Sequence, residues 1–406
     1  MGILQPKRIA TPVGLDMGTT SFRVVELKPT SGKPLLTHMG SIQVPPGVIV
    51  EGEIADPALA SQALSQLWKE TGLRDKQLTV GISNQKVIVR LVELPYMDEQ
   101  ELRGALQYQA QEYIAIPMDE AILDFQIVGE FTTAEEEHMM EVLLVAAQKD
   151  MVQKFVETIQ QAGLEPEVID VSSFALLRSL GETAPLILEE GKEAEAVVLM
   201  NISAGITNIV VVEEGIPRFS RVTAMAGDDF TRAVANALNL PFDEAEELKI
   251  KVGLPEIASE GETAAVPKLV EVAAGSRGSG WQDEGGKEAE AAEVSTYFAG
   301  EDLERVSKAQ QALVHETHRF IDEVRRSLDY YLTQAKVASI QNITLTGGAS
   351  QLPNLASYLE KALQVNVSYG HPLKKVDVAP SLLERAEREE SSMAICLGLA
   401  LRGVEV

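Results

Sequence analysis

One local pattern occurs twice in this chain, far apart: an apolar strand, a short turn of small polar residues, and a second apolar strand. The first copy runs Val13–Asp16, Met17–Ser21 and Phe22–Leu27; the second runs Ala196–Ile202, Ser203–Ile206 and Thr207–Val212. Apolar and β-branched flanks around Gly, Ser and Thr read as hairpins. A duplicated hairpin points to two similar halves. Between and beyond the copies, strand-like and helix-like runs alternate, which predicts α/β layers.

The helical runs carry their own stops and starts. Residues 57–71 place Leu59, Leu64 and Leu67 ahead of Gly72. Residues 78–148 read as a β-rich module with strands at Leu78–Ile82, Lys86–Glu93, Ala121–Val128 and Met139–Ala147. Its single helix, Glu99–Ile114, starts after Asp98, whose carboxylate can accept from first-turn amides. Asp150 is expected to cap the helix Met151–Ala162, which carries Met151, Val152, Phe155, Val156 and Ile159 on one face. A strand at Glu167–Val171 and a helix at Ser172–Leu180 follow, then helices at Asp228–Leu238 and Phe242–Val252. Residues 255–300 change character, with nine acids against three bases and glycine tracts, and read as a mobile acidic insertion or a tolerated surface loop. The chain resumes with a long helix at Glu304–Thr333, a strand at Ile343–Thr346 and a helix at Pro353–Leu363. It closes with an acidic helix at Pro380–Gly398.

Composition narrows the function. The 406 residues are 45% hydrophobic, enough for a sizeable core. Net charge is -26, which argues against a broad nucleic-acid footprint and against direct attachment to anionic membrane. Cys396, inside an apolar run, is the one cysteine, so no intrachain disulfide forms and a reducing cytoplasm fits. The N-terminal MGILQPKRIA lacks a signal core, and no apolar run reaches about 18 residues, so neither an export signal nor a membrane anchor is expected.

The turns are where chemistry is expected. A phosphate needs inward backbone amides, which Gly18 permits, and hydroxyls, which Thr19, Thr20 and Ser21 supply; Asp16 at the strand end can hold Mg2+ through water. The second turn offers the same set in Asn201, Ser203, Gly205 and Thr207. A third element, Leu345–Ser350, pairs Gly347 with Gly348, letting backbone lie flat against a base or ribose. Alone, each is an ordinary polar turn. Three in order point to a nucleotide.

In these three elements the chain resembles the actin–Hsp70–sugar-kinase superfamily, and within it the PilM family of type IV pilus assembly proteins, with FtsA a more distant relative. The segments Val87–Met97 (VIVRLVELPYM), Gln111–Pro117 (QEYIAIP) and Asp124-Phe125-Gln126 are similar to PilM hallmarks. The resemblance implies an α/β, actin-like (ribonuclease H-like) two-lobed fold with duplicated sheets and a small α+β subdomain inserted in the first lobe. Residues 9–77, 160–185 and 380–406 would form that lobe, 78–150 the insert, and 195–379 the second lobe. It implies ATP and Mg2+ as ligands. Asp16, Gly18, Thr19, Thr20 and Ser21 would form phosphate loop one, with Asp16 on the metal side. Asn201, Ser203, Gly205 and Thr207 would form loop two. Gly227 and Asp228 would open the next helix, Glu246 and Lys249 (in Ala-Glu-x-x-Lys) would flank the ribose and adenine, and Gly347, Gly348 and Ala349 would meet the adenosine. On sequence alone, Glu246 and Lys249 are a solvated helix face. Asn201 and Ser203 depart from the superfamily's Asp and Gly, which favours ATP binding with slow or absent hydrolysis.

The implied partner is an inner-membrane PilN-like protein, bound through its N-terminal peptide in a groove between the insert and the adjacent lobe, alongside other pilus assembly proteins. The setting is cytoplasmic and peripheral to the membrane. Two other functions share the fold. An FtsA-like filament tether would carry a basic amphipathic tail, unlike Leu401–Val406; a small-molecule kinase would carry a substrate-cleft motif that is not found. Walker A and G-x-G-x-x-G motifs are missing, Asn201–Gly205 lacks the first glycine of a nucleophile elbow, and His315 and His318 read as an exposed helix face.

Overall fold

Pairing about the first turn starts the first sheet. In the computed structural model, which describes residues 12–181, 196–257, 300–334 and 339–404, β1 (Val13–Met17) folds back on β2 (Ser21–Lys28), setting Asp16 opposite Arg23. β3 (Leu35–Gln43) continues antiparallel, followed by the small ladder of β4 (Ile49–Val50) and β5 (Glu53–Ile54). α1 (Pro57–Thr71) starts where Asp56 accepts from the Leu59 amide at 3.0 Å and stops at the left-handed Gly72. β6 (Gln77–Ile82) then enters the first sheet beside β1. The strand expected to open the inserted block therefore belongs to the first lobe's sheet.

The inserted block runs through β7 (Ile88–Pro95), α2 (Glu99–Gln109), β8 (Ala121–Thr132) and β9 (His138–Gln148). Asp98 and Glu101 close a full capping box on α2, which packs Leu102 and Leu106 onto Val92, Phe125 and Leu144 in a core of its own. α3 (Lys149–Gln161) begins two residues earlier than expected. Gln148 is its N-cap, and Asp150 instead accepts from the amide of Met151 at 2.8 Å. β10 (Glu165–Val171) pairs parallel with β6, and α4 (Ser172–Leu180) crosses toward the second lobe.

The second lobe repeats the plan: β11 (Ala196–Ile202), β12 (Thr207–Glu213) and β13 (Ile216–Thr223) form its meander. α5 (Gly227–Leu238), α6 (Phe242–Val252) and the long α7 (Gly300–Gln334) follow, with Phe320, Ile321, Val324, Leu328 and Tyr331 of α7 buried together. β14 (Ile340–Thr346) lies parallel to β11, then come α8 (Leu355–Leu363), β15 (Asn366–Tyr369) and β16 (Asp377–Val378). The expected acidic insertion at 255–300 lies, beyond residue 257, outside the described residues. The C-terminal run is not one helix: α9 (Leu383–Glu389) and α10 (Ala394–Leu401) are separated by a 3-10 turn at Glu390–Met393.

The strand orders are β10-β6-β1-β2-β3-β16 and β15-β14-β11-β12-β13-β7-β9-β8. The insert is thus continuous with the second sheet, through a single Phe219–Arg90 pairing. Between the sheets lie α4 and α10. Ala175 and Leu176 pack with Ala394, Ile395 and Leu399 against Leu199, Val210 and Val212 of the second sheet. Every residue of α10 is buried, which explains its unbroken apolar sequence. The helices touch so closely that a methyl on Gly398 would lie 1.8 Å from the Ala175 carbonyl oxygen. This shared layer holds the ends of the two hairpins at one level.

Candidate functional site

The two hairpin turns face each other. In the first, the Gly18 amide donates to the Ser21 carbonyl at 3.1 Å; in the second, the Ser203 amide donates to the Ile206 carbonyl at 3.1 Å. A methyl on Gly205 would lie 2.6 Å from Thr19 Cγ2, so loop two abuts loop one directly. Two further elements dock on loop two. α5 is anchored by amides of Gly227 and Asp228 donating to the carbonyls of Ser203 (3.0 Å) and Ala204 (2.8 Å). Gly347, at φ 91°, leaves only 2.3 Å between an added methyl and the Ile202 carbonyl oxygen, a backbone that requires glycine.

These elements enclose a cavity of about 340 Å3 between the lobes. Asp16, Gly18, Thr19 and Thr20 line it from the first lobe. Asn201, Ser203, Gly227 and Asp228 line it from the second hairpin and α5. Glu246 and Lys249 of α6, and Gly347, Gly348 and Ala349, complete the wall. Three expected residues stand behind it. Ser21 is buried and closes the first turn, Gly205 packs on Thr19, and the Thr207 hydroxyl donates to the Met225 carbonyl at 2.8 Å.

Glu246 and Lys249 are not a solvated face. Lys249 is 6% exposed; its Nζ donates to Glu246 at 2.6 Å and to the Thr231 hydroxyl at 2.9 Å, and the same hydroxyl donates to Glu246. The knot ties α6 to the start of α5. Burial pushes the Asp16 carboxyl above its ordinary range, opposed by the Arg23 guanidinium; burial also raises Asp228, opposed by Arg232 and Lys249.

Sequence reasoning missed several wall residues. Arg23 could have been found from hairpin symmetry, since it sits across from Asp16. Ser83 and Asn208 also line the cavity, the Ser83 hydroxyl donating to the Asn208 side-chain carbonyl across the lobes. Gln351 and Ser392 close the far end, and only tertiary folding places them there.

The donor set fits a bound polyanion. The Thr19 hydroxyl and the Asn208 Nδ2 are buried without a partner, an expensive state that a phosphate oxygen would relieve. The N-terminus of α5 adds the positive end of its dipole, its first amides being taken by the carbonyls of Ser203, Ala204 and Ala226. Among the described residues no group of three or more His, Cys, Asp or Glu forms a metal site. Mg2+ here would take most of its shell from phosphate and water, with Asp16 the protein carboxylate.

Two grooves flank the insert. One, of about 910 Å3, opens where β7 and β13 diverge around the Arg90–Phe219 pair. The other, of about 360 Å3, has an apolar wall of Val128, Leu143, Phe174, Leu177, Ile216 and Pro217.

Comparisons with known proteins agree with this geometry. The structure superposes on a PilM-PilN type IV pilus biogenesis complex with a TM-score of 0.73 and 28% identity, covering 98% of this chain and 100% of that one. Ethanolamine utilization protein EutJ from Carboxydothermus hydrogenoformans shares the fold, with a TM-score of 0.52 and 14% identity over 99% of this chain and 93% of that one. Cell division protein FtsA of Pseudomonas aeruginosa is 28% identical over 283 residues, covering 63% of this chain and 65% of that protein. The match thus spans just under two thirds of that relative's length. FtsA of Enterococcus faecalis is 22% identical over 379 residues, 87% of this chain and 77% of that protein. The FtsA family model matches residues 198–395. Duplicated sheets, a shared helical layer and an interlobe cavity define an actin-like α/β protein. Within that class, the family model of type IV pilus assembly protein PilM matches residues 14–261. The chain belongs to the PilM family.

Proposed function

We propose that this chain is an ATP-binding scaffold of type IV pilus assembly, which captures the N-terminal peptide of an inner-membrane PilN-like protein. The observation that carries the nucleotide half is the buried, unpartnered Thr19 hydroxyl, set where both hairpin turns and the start of α5 meet. Thr19, Thr20 and Ser203 would hold the phosphates, Arg23 and Lys249 would balance their charge, and Glu246 with Gly348 and Ala349 would meet the ribose and base. Bound Mg2+ supplies charge neutralisation at the phosphates. Asn201, whose Nδ2 donates to Ser203 Oγ at 2.8 Å, replaces the carboxylate that would serve as a base. Nucleotide therefore acts as structural ligand or switch, with slow or absent turnover. Phosphate release that is brisk and abolished by Asp16→Ala would overturn this.

The likeness to the PilM-PilN complex supports the partner. The apolar groove beside Phe174 and Leu177 suits a short apolar peptide held along a sheet face. Among the described residues no helix is long and apolar enough to cross a membrane, so the chain would reach the inner face of the cytoplasmic membrane through that partner. The expected result is capture of a PilN-like N-terminal peptide by the intact chain, lost in Leu177→Glu and changed by ATP. Capture that ignores Leu177→Glu would refute the groove; equal capture with ATP, ADP and no nucleotide would refute the switch. The FtsA likeness over residues 198–395 favours a second reading, a filament-forming tether. Sedimentation of polymers with ATP would support it.

A further inference from the structure

At the far end of the cavity, a small hydrogen-bond network leaves one polar atom with a defined role. The hydroxyls of Ser350 and Ser391 both donate to the Gly347 carbonyl, at 2.7 Å and 3.0 Å. The two hydroxyl oxygens also lie 3.3 Å from each other, and with both protons on the Gly347 carbonyl each oxygen meets its next neighbour as an acceptor. That neighbour is Gln351, whose side-chain amide lies 3.3 Å from the Ser350 oxygen and 3.2 Å from the Ser391 oxygen. Two acceptors demand the Nε2 end, which fixes which way round the amide sits. Reversing it would set Oε1 against two oxygens with no proton to give. The remaining atom, Oε1, accepts only. Gln351 lines the cavity with Gly348, Ala349, Glu246 and Lys249.

We infer that Gln351 selects the base of the bound nucleotide, its Oε1 accepting from the 6-amino group of adenine and opposing the 6-oxo group of guanine or hypoxanthine. The inference rests on the reading of this cavity as a nucleotide site. A 6-oxo purine presents an acceptor where Gln351 presents an acceptor. Accommodating it would cost either that repulsion or the loss of both serine contacts. Gln351 is exposed, so discrimination by its single acceptor is expected at roughly fivefold to tenfold. Ser391 belongs to the 3-10 turn between α9 and α10, and its carbonyl also accepts from the Gly347 amide at 2.8 Å. The selector is thus oriented by a residue of the first lobe while standing on the second.

The test is equilibrium titration of the full chain with ATP, and with inosine triphosphate, whose base carries the 6-oxo group in place of the amine. The wild type is expected to favour ATP by roughly fivefold to tenfold. Gln351→Ala is expected to bring the two affinities to within about twofold of each other, with no change in the thermal midpoint of the free protein, because Gln351 is an exposed side chain. Ser391→Ala, which frees the amide to turn, should narrow the preference while leaving ATP bound. Equal wild-type affinities, or an undiminished preference in Gln351→Ala, would overturn the inference and leave the nucleotide site standing. Failure of the wild type to bind either triphosphate would remove the nucleotide reading and the inference with it.

Discussion

At the residue scale, the site is built from close approaches that few side chains tolerate. Gly347 carries one of them, and Gly347→Ala combines a left-handed backbone with a 2.3 Å clash. It is expected to lower stability by about 1–3 kcal/mol, measured by urea denaturation, and to weaken ATP binding in titration. Asp16 behaves oppositely. Its carboxyl is desolvated, with Arg23 as the opposing charge, so Asp16→Asn should raise the melting temperature of the nucleotide-free protein and remove the Mg2+ dependence of ATP affinity. A lower melting temperature would show that the carboxylate is held more favourably than its burial implies. The polar turns were legible in sequence because the pattern recurs: each alone is an ordinary polar turn, and it is three in order that point to a nucleotide. Lys249 and Glu246 were legible only by resemblance, since their i,i+3 spacing is equally that of a surface pair. Ser83, Asn208 and Gln351 carry no local signal: they matter through contacts with segments far along the chain.

At the element scale, the two longest of the strands that the sequence did not reveal escaped the pattern of hydrophobic residues. β3 mixes Thr37, His38, Gly40 and Ser41 among its apolar residues, and β13 contains Pro217, Arg218 and Arg221, so neither shows clean alternation. The C-terminal helix was expected to run through residues that the fold bends instead. Ser391 turns aside to hold the Gly347 amide, and that tertiary bond outweighs helix continuity. The end of the chain is fastened by Asp170 on β10, fully buried, which pairs with Arg178 of α4 and with Arg402 at 2.9 Å. Arg178 Nε also donates to the Gly398 carbonyl at 2.8 Å. Removing the shared acid takes the buried carboxylate from two guanidinium groups, so Asp170→Ala should destabilise the protein by about 3–5 kcal/mol, read from chemical denaturation. A loss below roughly 1 kcal/mol would mean that water replaces the carboxylate.

At the scale of the whole molecule, the shared α4–α10 layer makes the lobes one packing unit, and the Ser83–Asn208 bond joins them at the cavity. Cys396 of α10 reports on that unit. It is fully buried, and burial, reinforced by the nearby Asp16 charge, pushes its thiol well above the usual range. Alkylation of the folded protein at mildly alkaline pH should therefore be slow and follow unfolding. ATP at a hundred times its dissociation constant should slow it further, since ligation then adds about 2.7 kcal/mol to folding. Mass spectrometry over a time course checks both. The two-lobed plan was readable from the repeated hairpin, whereas the insert's continuity with the second sheet rests on one cross-strand pair that no sequence pattern announces. The most direct measurement is a crystal structure grown with a non-hydrolysable ATP analogue and Mg2+. The triphosphate should lie between Thr19 and Ser203, with the base beside Gly348 and Gln351. A nucleotide found elsewhere, or an empty cavity at saturating ligand, would contradict the account.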